Sequence, residues 1–161
     1  AQAGSGAAAE VGVVRVTATT RVFELPPLQR LVGAVFGDEI TLAGYNAAPG
    51  GELTLVFQAL RKPTANDKYF VHVVDPASGA LVAQVDAEPG DGAHPTGGWL
   101  PGEVVSERAA IDLTGVAAGT YDVYVGLYDP ARTGAPRLAA FLDGMRSADD
   151  RVRLPDPLRV P

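Results

Sequence analysis

The stretch GTYDVYVGLYDP, residues 119–130, decides the fold. Tyr121, Val123, Val125 and Leu127 fall on one face of an extended chain, and Asp122, Tyr124, Gly126 and Tyr128 fall on the other. Such alternation marks a strand that packs on a core by one face. Ala117, Ala118 and Gly119 break the chain before it. Asp129-Pro130 closes it, because proline cannot continue a sheet ladder. Upstream, IDLTG (residues 111–115) places a strand end and a corner just ahead of Tyr121. That order suits a tyrosine corner, with the ring inward and the hydroxyl bonded to upstream backbone. A core tyrosine without that bond is the alternative.

Working outward, the chain has the composition such strands need. Of 161 residues, 47% are hydrophobic and 20% charged, which is globular rather than disordered. Nineteen Gly and thirteen Pro interrupt it too often for long helices. A formal net charge of −6 leaves no basic footprint for nucleic acid and no attraction to an anionic membrane surface. Absence of Cys excludes disulfides and thiolate metal sites. No apolar run approaches a membrane span. Residues 1–10 carry only Ala, Gly, Ser and Gln before Glu10, which predicts a flexible linker or processed start. Residues 11–161 are expected to form a single domain, and a start at Ala rather than Met implies a longer parent protein.

Alternation and turn residues then place the strands. Residues 11–18 are a first strand. Residues 22–27 run extended because Pro26 restricts Leu25, and 28–32 are a short edge segment. Strands follow over 38–45, 53–59, 69–75, 80–87 and 103–113. DPASG (75–79) is a tight hairpin connection. Residues 88–102 form the longest irregular passage. After the 119–129 strand, ARTG (131–134) turns back into a partner strand over 137–141. Residues 145–150 are loop, and 152–160 hold a last strand broken by Pro155 and Pro157. The fold class is therefore all-β, a two-sheet antiparallel β-sandwich of immunoglobulin-like or jelly-roll-like form.

Five pieces carry a resemblance: FGDEITLAGY (36–45), FVHVVD (70–75), LVAQVD (81–86), HPTGGWLPGE (94–103), and GTY with VGLYD (119–121, 125–129). In this order they resemble the C-terminal extracytoplasmic β-sandwich of polytopic glycosyltransferases of the dolichyl-phosphate-mannose–protein mannosyltransferase type in Chloroflexi-like bacteria. The likeness spans residues 22–141. It implies a non-catalytic accessory domain outside the cytoplasm, tethered to a membrane enzyme whose catalytic acid lies in its membrane part. The partner so implied is a glycan or that membrane-embedded portion of the same polypeptide. Family members often carry an aromatic between Gly92 and Pro95, where this chain has Ala93 and His94.

The residues themselves offer one binding constellation. Trp99, the single Trp, sits in a Gly- and Pro-rich loop, with Gln84, Asp86, Asp91 and His94 as polar partners nearby in sequence. Flat rings stack on sugar faces, so this set describes a carbohydrate-binding site. The competing reading, preferred because lone Trp residues are usually heavily buried, makes Trp99 a cap on the core. His72, between Phe70 and Val74, is expected to be a satisfied structural histidine rather than a ligand. The two His are too far apart for a zinc site. Acidic clusters at 86–91 and 143–150 lack EF-hand spacing and are expected to be solvated carboxylates. No nucleophile elbow, cysteine nucleophile or phosphate loop is present. No catalytic residue, metal site or cofactor is assigned.

Overall fold

A computed structural model describes residues 20–161. The linker expected over 1–10 and the strand expected over 11–18 lie outside the described residues. Among the described residues, eleven strands form two antiparallel sheets. The first has the order β6 (Val104–Ala110), β3 (Glu52–Ala59), β2 (Ile40–Ala48), β1 (Arg30–Phe36), β8 (Ala140–Leu142) and β9 (Met145–Arg146). The second has the order β10 (Val152–Arg153), β7 (Gly119–Tyr128), β4 (Lys68–Val74) and β5 (Leu81–Ala87), with β11 (Leu158–Val160) also on β7. The only helical turns among the described residues are short 3-10 pieces. The all-β sandwich expected from the alternation is the one observed.

The core lies between the sheets. Phe36, Ile40, Leu42, Leu55 and Phe57 from the first sheet meet Tyr69, Val71, Val73, Val123, Val125 and Leu127 from the second. The inward set of β7 is buried as its alternation requires, and Tyr124 and Tyr128 lie half-buried on the opposite face. The tyrosine corner is present: the Tyr121 hydroxyl donates to the Ala117 carbonyl at 2.8 Å. Glu107 points inward with Val105 and Ala109, and both its carboxylate oxygens accept the Gly90 N–H at 3.0 and 3.1 Å. That bond fastens the irregular 88–102 passage to β6.

Three expectations need correction. The segment expected at an edge over 28–32 contributes instead to β1, which runs between β2 and β8. A bulge between Leu31 and Ala34, with Gly33 at φ 71°, lets Leu31 face solvent while Ala34 and Phe36 face the core. The partner strand expected for β7 over 137–141 reduces to one bridge, Tyr128 to Arg137, with Leu138 N–H donating to the Leu127 carbonyl. The chain then leaves for the other sheet, where Ala140 pairs with Phe36 and both are fully buried. The edge of β7 that it vacates is taken by β10 at Tyr124–Val125 and by β11 at Gly119–Tyr121. The loop expected over 145–150 contains β9, which pairs with β8.

Candidate functional site

Strand β4 is the axis of the second sheet. Tyr69, Val71 and Val73 point into the core, so Lys68, Phe70 and His72 point outward. In register, His72 stands opposite Gln84 on β5 and Tyr124 on β7, and Phe70 stands opposite Asp86 and Gly126. Gly126 has no side chain, and the Phe70 ring occupies that space. Tyr128 reaches across to β5 and donates its hydroxyl to Asp86 Oδ1 at 2.7 Å. The guanidinium of Arg137 lies 4.7 Å over the Phe70 ring, and that of Arg151 lies 4.2 Å over the Tyr124 ring. Gln84 and Asp86 are exposed beside this aromatic ground.

The charges fix the protonation of its centre. Burial, then Arg137 and Arg151, hold the His72 pKa below that of a free imidazole. Arg151 Nη1 lies 3.4 Å from His72 Nδ1, and an arginine only donates, so Nδ1 is the unprotonated acceptor. The histidine is half-buried and held by this contact and by the Phe70 ring at 4.4 Å, in keeping with a structural role. The Tyr128 hydroxyl is pushed up to about 12 by burial and by Asp86, so it remains a donor. Arg137 Nη1 is fixed by the Asp149 carbonyl at 2.7 Å. The face thus offers the partly exposed rings of Tyr124 and Tyr128, an amide and a carboxylate from strands β7 and β5, and two guanidinium donors from loops, while Phe70 lies buried beneath Arg137.

The sequence-derived constellation is divided by the fold. Gln84 and Asp86 belong to the outer face of β5, while Asp91, His94 and Trp99 belong to the loop that follows. Trp99 is fully buried and packs 6.4 Å from Phe57, so a sugar-stacking role for this ring is corrected. Its indole N–H donates to the His94 carbonyl at 3.0 Å, and the two rings meet edge-on at 6.1 Å. His94 Nε2 in turn lies 3.1 Å from Oε1 of the buried Glu103. Glu103 also accepts the Leu100 N–H at 2.8 Å and pairs with Arg21. Burial raises the Glu103 pKa, but the Leu100 N–H, Arg21 and His94 outweigh it, so the carboxylate stays below its ordinary range. Trp99, His94 and Glu103 are therefore a loop anchor. Asp91 is exposed in a left-handed turn, φ 52°.

A second polar feature lies at the loop end of the sandwich. Asp67, just before β4, is 3% exposed, and neither carboxylate oxygen has a hydrogen-bond partner among the described residues. Burial, then Asp129 and Glu39, push it up to about 6. It lines a cavity of about 250 Å³ with Glu39, Asp129, Arg132, Arg137 and Leu138.

No protein-family model, curated protein or solved structure matches the chain. The working residues must accordingly be found by position. Tyr124 and Tyr128 were visible in the sequence as the outward face of a strand, but sequence spacing could not bring them beside Gln84 and Asp86. Arg137 and Arg151 enter that face from separate loops, and no periodicity marks them. Asp67 sits in a segment whose composition signals only a turn, so its burial had no sequence signal.

Proposed function

We propose that this sandwich is a non-catalytic glycan-binding module, acting outside the cytoplasm as the accessory domain of a membrane glycosyltransferase-like protein. One observation carries the binding half: the partly exposed rings of Tyr124 and Tyr128 on the outer face of β7, interleaved with Arg137, Arg151, Gln84 and Asp86 over the buried Phe70 ring. Sugars present apolar C–H faces edged by hydroxyls, and rings bordered by fixed donors and acceptors match both. The glycosyltransferase half is supported by the motif resemblance over residues 22–141.

A glycan array on the chain tests the binding half. Glycan capture should fall about tenfold in Gln84→Ala and Tyr124→Ala at unchanged fold, as loss of a hydrogen bond or a stacking ring predicts. Equal capture by wild type and both variants discards the sheet face as the site. Turnover of p-nitrophenyl glycosides discards the non-catalytic assignment. The reading frame that contains this sequence tests the accessory half: many membrane spans upstream support it, and a lone signal peptide discards it.

A further inference from the structure

We infer that, with a glycan on the sheet face as proposed above, that glycan is acidic, and that Arg137 and Arg151 together hold the carboxylate of a uronic acid unit. The placing of arginine is the reason to look there. The chain has a formal net charge of −6, yet four arginines line one edge of β7 on its outer face. Arg137 bridges Tyr128, Arg153 pairs with Tyr124, and Arg159 pairs with Thr120. Val152 and Leu154 are buried in the core, so Arg151, like Arg153, points outward by strand alternation. Asp122 holds Arg153 at 2.8 Å. Arg137 and Arg159 have no carboxylate at ion-pair distance among the described residues, and Arg151 reaches only Asp149, at 3.7 Å.

Arg137 and Arg151 meet a ligand together, because both are anchored on one residue. Arg137 Nη1 donates to the Asp149 carbonyl at 2.7 Å, and Arg151 Nη2 lies 3.7 Å from the Asp149 carboxylate. Beneath them the Phe70 and His72 rings stand 4.4 Å apart, with one guanidinium over Phe70 and the other over Tyr124. Arg137 is exposed, and Arg151 keeps 21% of its side chain exposed, so a ligand reaches both. The Asp149 carboxylate does not saturate them: its side chain is 70% exposed, and 3.7 Å is beyond hydrogen-bond length. His72 adds a donor, since its Nδ1 faces Arg151 and its proton sits on Nε2. The site therefore holds a surplus of donors and of positive charge, which an oxyanion answers. A guanidinium matches a planar carboxylate through two parallel N–H···O bonds. One negative charge suits the site better than a phosphate dianion, because the carboxylates of Asp86 and Asp149 border it. The sugar ring that bears the carboxylate rests beside the partly exposed Tyr124 and finds Gln84, opposite His72, for its hydroxyls.

The test is an amide NMR titration of the 161-residue chain with tetramers of D-galacturonic, D-glucuronic and D-mannuronic acid in turn. The methyl ester of each, at matched sodium concentration, is the neutral control. One acid should shift the His72, Tyr124 and Arg151 amides saturably, and its ester should bind about tenfold or more weakly, since charge-assisted bonds are lost. Added NaCl should weaken the acid severalfold and leave the ester unchanged. Arg137→Gln, an exposed change, should weaken the acid about tenfold and the ester less. Arg151→Gln should do the same. Should Arg151→Gln fail to fold, Arg137→Gln decides alone, and wild-type affinity for the acid in that variant overturns the inference. Equal binding of acid and ester, or binding of neutral oligosaccharides only, overturns the acidic ligand and leaves the glycan reading standing. Silence with every acidic and neutral saccharide overturns both. Saturable shifts of the same amides by inorganic phosphate, with the uronates silent, overturn the carboxylate in favour of a phosphate group.

Discussion

Phe70 lies across Gly126 so closely that a Cβ at position 126 would fall 2.2 Å from its ring. The glycine is needed here for space, since its backbone is ordinary strand. Gly126→Ala should therefore destabilise the sandwich by about 1–3 kcal/mol, as overpacking does. Phe70→Ala in the same chain should recover part of that loss. Urea denaturation of the two single variants and the double variant checks it; additive losses would mean that the ring does not depend on the missing side chain.

The corner at Tyr121 predicts a smaller effect. Tyr121→Phe keeps the ring and removes only the hydroxyl that donates to Ala117, leaving that carbonyl near solvent. A loss of about 1 kcal/mol is expected, the usual net worth of one hydrogen bond. A thermal melt identical to wild type would reduce the corner to a packing feature.

Trp99 should report on the core and be silent to sugar. Trp99→Ala should cost roughly 3–5 kcal/mol, as large buried aromatics do. Emission of wild type should be blue-shifted, resistant to acrylamide, and unchanged by any glycan the chain binds. A saccharide-dependent emission change would place ligand against this ring and contradict its burial.

Asp67 predicts an unusual pH dependence. Its folded pKa, pushed up to about 6, lies above the unfolded value of 3.8. Above pH 6 the folded state carries a buried charge that the unfolded chain exposes without penalty. As pH falls through 6 the folded state takes up a proton before the unfolded chain does, so this residue makes stability rise toward pH 4. The gain is on the order of 2–3 kcal/mol. Asp67→Asn should be more stable than wild type at pH 7.5, with the difference shrinking toward pH 4. Chemical denaturation across that range decides it, and a difference constant with pH would refute it.

What could be read from the chain beforehand divides along a physical line. Strand positions, the inward set of β7, the corner at Tyr121 and the buried place of Trp99 all depend on local alternation or on residue type, and both are written in sequence. The crossing of β8 to the first sheet was not legible, because it depends on which edge of β7 is free after β10 and β11 have paired. The outer face was half legible for the same reason. Gln84 and Asp86 were singled out, but Tyr124, Tyr128, Arg137 and Arg151 join them only through cross-strand register and two loop contacts. Asp67 was invisible, since nothing in a turn composition distinguishes a buried carboxylate from a solvated one.

One edge of β7 is shared by three separate pieces of chain: the Arg137 bridge, β10 and β11. An uninterrupted ten-residue strand with bare amides would be a template for another molecule to add to. Dividing its cover among short segments, with Pro155 and Pro157 between the last two, leaves no continuous stretch that one incoming strand can replace. Protection from intermolecular pairing is thereby entrusted to residues 137–160. Deleting residues 151–161 would expose most of that edge while leaving much of the core in place, and the expected result is a protein that self-associates through β7 before it loses its fold.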